Sequence, residues 1–113
     1  MVYKELTQNH FEEFKQDYSV YGTTTVEDEY GNESSVRDTD PKATIHVMWQ
    51  PVTDYASVVE YGRDVARMFY CILYDDTIEL NYDDVVVIRG DEYEVIGIKL
   101  FNTYTRVEVR KKV

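Results

Sequence analysis

The stretch Leu80-Asn81-Tyr82-Asp83-Asp84-Val85-Val86-Val87-Ile88-Arg89-Gly90-Asp91-Glu92-Tyr93-Glu94-Val95-Ile96-Gly97-Ile98 constrains the fold most, because little except one tight hairpin satisfies it. Val85 to Ile88 are strand formers, Tyr93 and Val95 answer them across the pair, and Gly90-Asp91 is a two-residue signal for a turn with positive φ. A third strand, Tyr104 to Lys111, follows Phe101-Asn102-Thr103. Gly97 inside the second strand predicts a bulge where the sheet bends sharply.

The 113 residues suffice for one domain with a single core, hiding roughly two-thirds of the unfolded surface. Twenty-two acids face twelve bases, and they are unevenly placed: residues 1–41 are net −7 and residues 95–113 net +4. An acidic balance argues against tight phosphate-backbone binding, though not against a passage through which DNA moves. Eleven tyrosines suit either strands or surfaces that a partner covers. Cys71 is the sole cysteine, so no intramolecular disulfide is expected. No basic-plus-apolar leader and no apolar run near ~20 residues is seen, so we expect synthesis in a reducing cytoplasm and no membrane span.

Leu6, Phe11, Phe14 and Tyr18 recur at helical spacing, and Asn9 with Glu12 forms a capping-box pattern, predicting an N-terminal arm or short helix over residues 6–17. Ser19 to Glu27 and Ser34 to Asp38 read as strands paired through Gly31-Asn32. After the breaker at Pro41, Ala43 to Gln50 alternates, with Ile45, Val47 and Trp49 on one face, until Pro51 ends it. Between Val52 and Arg67 the period turns helical: Tyr55, Val58 and Val59 share a face, Thr53 is the expected cap and Gly62 the expected stop. Arg67 to Tyr74 is apolar on both faces, and Asp75-Asp76 turns it toward a strand at Thr77 to Leu80. The expected fold is therefore mainly β: an arm over 1–16, then over 17–113 a small, partly open antiparallel β-barrel of six or seven strands with one long inter-strand loop. Ile45, Val47, Trp49, Ile72, Val86, Ile88, Tyr93, Val95 and Val107 are expected to face inward.

No motif for phosphate transfer, serine hydrolysis or zinc is present, and we expect no catalytic residue, no metal and no cofactor. A Cys71-His46 dyad is weighed and set aside, because Cys71 lies in the most apolar strand and lacks an orienting third group. The acidic groups Glu27-Asp28-Glu29, Asp75-Asp76, Asp83-Asp84 and Asp91-Glu92 flank turns, where Asp bonds the local backbone, and none has the spacing of a calcium loop. Lys99, Arg106, Arg110, Lys111 and Lys112 form the one basic concentration. Three uses are open: a track for a nucleic-acid backbone with Phe101 and Tyr104 as stacking platforms, protection of an edge strand, or one half of a head-to-tail subunit contact with the acidic front. We prefer the last, with Lys99, Phe101, Tyr104, Arg106 and Arg110 as the contact residues.

The ordered pattern of the opening hairpin tipped by Tyr30-Gly31-Asn32, the strand Thr44 to Gln50, the long segment after it and Asp84-Val85 through Val109 resembles phage head-tail connector proteins, the head-completion or stopper proteins of long-tailed phages and prophages. The resemblance covers roughly residues 17–113. It implies a non-enzymatic structural protein of the virion neck, made in the bacterial host cytoplasm. Such a protein forms a ring that closes the DNA-filled head and joins it to the tail, with portal or adaptor and tail-completion proteins as partners. DNA passes through its channel without sequence-specific binding. On that alignment Val52 to Arg67 is the channel-loop candidate, with Tyr55, Val58, Val59, Tyr61, Arg63 and Arg67 as its functional residues. The acidic N-terminal extension and the paired Arg63 and Arg67 depart from the family pattern. The alternatives are a small β-barrel module that binds a protein or single-stranded nucleic acid, and a phage tail-completion protein.

Overall fold

A computed structural model describes residues 14–75 and 77–112. Of the expected N-terminal arm, residues 1–13 lie outside these; Phe14 and Lys15 lead into strand β1 (Gln16–Tyr21), which Gln16 and Asp17, assigned above to a helix, begin. Long-range pairing overrides the helical spacing there: Asp17 faces His46 across the ladder, and Tyr18 packs edge-on against Trp49 at 6.1 Å.

After β1 come β2 (Thr23–Glu27), β3 (Glu33–Arg37), β4 (Ala43–Val47) and β5 (Gln50–Pro51). Helix α1 (Tyr55–Tyr61) and a 3₁₀ segment (Gly62–Arg67) lead into β6 (Met68–Leu73), β7 (Val85–Ile88), β8 (Asp91–Leu100) and β9 (Thr105–Lys111). Seven strands make one antiparallel sheet in the order β4-β1-β7-β8-β9-β6-β5, while β2 and β3 form a separate two-stranded ribbon. The sheet must curl, because its two edge strands, β4 and β5, are joined only through Met48 and Trp49. Three Cα steps reach at most about 11 Å. The result is the expected mainly β, partly open barrel.

Several boundaries move for identifiable reasons. The single strand expected over Ser19 to Glu27 divides at Gly22, where the chain leaves the barrel for the ribbon, and Asp38 N–H returns to the Gly22 carbonyl at 2.9 Å. Ala43 to Gln50 likewise breaks at Met48-Trp49, and Pro51, expected to end that strand, sits in edge strand β5 opposite Phe69, where its missing N–H costs no ladder bond. The hairpin turn is Arg89-Gly90, one residue earlier than expected, since Asp91 is already paired with Ile88. Arg89 (φ 52°) and Gly90 (φ 85°) both take the positive φ that a two-residue type I′ loop demands. Thr77 to Leu80 contains no strand. Asp75 accepts from the Thr77 amide (2.9 Å) and hydroxyl (2.6 Å), closing a local turn, and Ile78 and Leu80 pack as loop residues against the core.

The core holds Val20, Ile45, Val47, Cys71, Leu73, Val86, Ile88, Tyr93, Val95, Val107 and Val109. One inward assignment changes. Trp49 is partly buried and packs against the core, whereas Ile72 faces outward because the alternation of β6 turns Cys71 and Leu73 inward. That alternation also separates Cys71 from His46, which lies between the inward-facing Ile45 and Val47 and bonds Asp17 at 2.8 Å.

Candidate functional site

The outer face of β9 alternates against its core face, so Arg106, Glu108 and Arg110 point away from the barrel interior. Exposed carboxylates and guanidiniums are usual there. Instead, Glu108 is 0 % exposed. It is covered by α1, which crosses the sheet with its polar side down.

Asp54 starts the helix, one residue after the expected Thr53: its carboxylate accepts from the Ser57 amide (3.1 Å) and hydroxyl (2.7 Å). Gly62 ends it as expected, at φ 60°, with its N–H on the Val58 carbonyl. On the underside, Ser57 is buried and the Tyr61 hydroxyl donates to Glu108 at 3.0 Å. Lys99 Nζ lies 3.1 Å and Arg106 Nε 3.3 Å from the same carboxylate. Each cation reaches a second acid on the α1 segment, Lys99 to Glu60 and Arg106 to Asp54, both at 2.7 Å. Arg110 bridges Glu94 and Asp64 at 2.8 Å each, and Arg67 holds Asp64 at 2.8 Å. A buried carboxylate is tolerable only with such partners, and here it has four, the Ser57 hydroxyl donating to it at 3.4 Å as well. Burial, followed by the Glu108 hydrogen bond, pushes the Tyr61 phenol far up. The Ser57 hydroxyl and then Arg106 hold the Asp54 carboxyl well below the usual range.

Gly97 makes this arrangement sterically possible. It sits at the expected bulge, where the β8-β9 register shifts between Val95 and Gly97. A Cβ at Gly97 would collide with the Glu108 carboxylate and with the Tyr61 hydroxyl. The glycine opens the space in which helix and sheet meet.

With its polar residues turned inward, α1 presents its apolar ones to solvent. Tyr55 is 82 % exposed, Val59 69 % and Val58 42 %. Of the other residues expected in the long segment, Tyr61 is half-buried, Arg63 is exposed without an ion pair among the described residues, and Arg67 is bound to Asp64. The segment is thus a helix pinned to the sheet, not an open loop.

The five basic residues do not form a free positive track. Lys99, Arg106 and Arg110 tie down the α1 segment, while Lys111 pairs with Asp91 (3.4 Å) and Lys112 with Glu92 (3.8 Å). Edge protection does not apply either, because β9 lies between β8 and β6. Phe101 and Tyr104 stack at 4.8 Å in the β8-β9 turn, and Tyr104 also meets Tyr74 at 6.4 Å. The turn acids behave as expected at Asp28, which accepts from the Tyr30 and Asn32 amides at 2.9 Å each. Asp84 follows the same pattern, accepting from the Asn81 amide at 2.8 Å, and is in addition buried and salt-bridged to Lys42.

Sequence reading missed Asp54, Ser57 and Glu108. The alternation Arg106-Val107-Glu108-Val109-Arg110 did hold a signal, since it places Glu108 between two cations on one face.

The sequence matches no family model and no curated protein. In backbone, the chain is similar to protein SF1141 from Shigella flexneri 2a, with TM-score 0.59, 12% identity, and 88% of this chain and 94% of that one covered. It is also similar to the phage-like element PBSX protein xkdH from Bacillus subtilis, with TM-score 0.52, 9% identity, and 87% and 96% covered. An ATP-binding sugar transporter-like protein from Salmonella typhimurium superposes at TM-score 0.49 and 13% identity over 96% of this chain and 86% of that one, too loosely to define a shared fold. At these identities the likeness is one of fold: a small, partly open β-barrel that a protein of a phage-like element also adopts.

Proposed function

We propose that the chain is a non-enzymatic structural subunit of a phage or prophage neck, assembling as a ring that closes the filled head and joins it to the tail. The observation that carries this reading is the inverted helix α1. Its ion pairs go to its own sheet, and Tyr55, Val58 and Val59 are left for something else to cover. Contiguous exposed apolar groups on a small domain mark an interaction surface. The backbone likeness to xkdH adds the phage context. Pairing of all five basic residues within the subunit disfavours the nucleic-acid module, which needs cations free to track phosphates. In this reading portal or adaptor and tail-completion proteins are the neighbours, and DNA traverses the ring without base-specific contact.

Deleting the gene from a phage that encodes the chain tests the proposal. Electron microscopy of the lysate should show heads that have lost DNA and unattached tails, restored by the gene in trans. Normal, infectious virions from the deletion strain would overturn it.

A further inference from the structure

The β2-β3 ribbon leaves the barrel after β1 and returns to β4, at one end of the strand order, whereas α1 connects β5 to β6 at the other. Between Thr24 and Val36 every residue of its two strands is exposed. The register sets Thr24 opposite Val36 and Val26 opposite Ser34, so these four share one face. Val26 and Val36 are 44 % and 51 % exposed. A two-stranded ribbon is marginal in water unless something packs on it.

We propose that the valine-bearing face of this ribbon in one copy docks on the outward face of α1 in a second copy, a contact that rests on the ring reading above. Three observations converge on that occupant. Both faces are uncovered within the subunit and each carries a pair of valines, which on the ribbon stand beside Thr24 and Ser34. Their dimensions match: a seven-residue helix is about 10 Å long and about 10 Å wide, close to the footprint of two strands about 4.8 Å apart with their side chains. Their charges are complementary too. The turn that joins the ribbon's strands carries Asp28 and Glu29 at its tip, while Glu27 and Glu33, paired with each other, lie on the opposite face; Arg63, at the exit of α1, has no intramolecular ion pair among the described residues. Ribbon and helix are different surfaces, so the contact is head-to-tail, the kind that closes into a ring when its rotation closes. It replaces the basic tail, whose cations are engaged internally, with Arg63 as the partner of the acidic front.

Two variants with one added cysteine each, Val36→Cys and Val59→Cys, mixed at high protein concentration with a short bismaleimide, test the contact. Buried Cys71 is shielded from the reagent. The mixture should give a linked dimer well above either variant alone, and Thr24→Cys replaces Val36→Cys if the latter fails to fold. Arg63→Glu should weaken self-association about two- to fivefold, the scale of an exposed ion pair, and adding Glu29→Arg should restore it. Oligomers in solution or on heads that form without the 36–59 link overturn this docking and leave the ring reading standing. A chain that stays monomeric at every concentration and is recovered in single copies from heads overturns both.

Discussion

The Tyr61 hydroxyl donates to the buried Glu108 carboxylate at 3.0 Å, directly above Gly97, whose missing side chain leaves the room that both groups occupy. Helix α1 is thereby fastened to the sheet by polar atoms, and its apolar residues are free for a partner.

Gly97→Ala should therefore destabilise the domain by about 1–3 kcal/mol, the cost of forcing atoms into a packed site. Thermal unfolding followed by circular dichroism measures it. A second substitution separates this from backbone strain: Gly90 has open space around its Cβ direction but φ of 85°, so Gly90→Ala should cost only the left-handed penalty of about 1–2 kcal/mol. Adding Tyr61→Phe to Gly97→Ala should recover part of the loss, because it removes one of the two clashing oxygens. It should do nothing for Gly90→Ala.

Asp54 ties stability to pH. Its carboxyl is held low, chiefly by the Ser57 hydroxyl and next by Arg106, so its contribution is complete above the unfolded-state value near 4 and fades as pH falls from there toward the folded value. At pH 7, Asp54→Ala should cost about 0.5–2 kcal/mol through loss of the helix cap. The gap in melting temperature between wild type and Asp54→Ala should narrow as pH drops below about 4. A gap of constant size from pH 7 to pH 3 would contradict this account.

Burial pushes the Cys71 thiol up, opposed only by a weaker hydrogen bond with the Val107 backbone. A thiol reagent at pH 8 should leave the native protein unmodified over times in which a model thiol reacts completely. It should label one equivalent once denaturant unfolds the chain. Rapid labelling of the native protein would place Cys71 outside the core.

The two isoleucines at positions 72 and 88 distinguish the observed face of β6 from the expected one. Ile88→Ala removes a core side chain and should cost about 2–4 kcal/mol, whereas Ile72→Ala, on the outer face, should cost well under half of that. Denaturant midpoints at unchanged slope give both values. Equal losses would return Ile72 to the interior.

By itself the sequence determined whatever depends on neighbours along the chain. The β7-β8 hairpin, the ribbon turn at Gly31, the Gly62 helix stop and the Gly97 bulge are each set by local φ preferences and period-two alternation. Alternation also shows that Arg106, Glu108 and Arg110 share a face, but not what covers it. Only the tertiary structure decided that α1 lies there, that Glu108 is buried beneath it, and that the basic tail is spent on Asp54, Glu60, Asp64 and the acids of β8. It also divided Ser19 to Glu27 between barrel and ribbon, because curling of the sheet decides where a continuous β-favouring run must leave it. The helix illustrates the reason most plainly. Its 3.6-residue period defines a polar and an apolar side with equal clarity, and which side turns inward depends on the charges of a strand some fifty residues away.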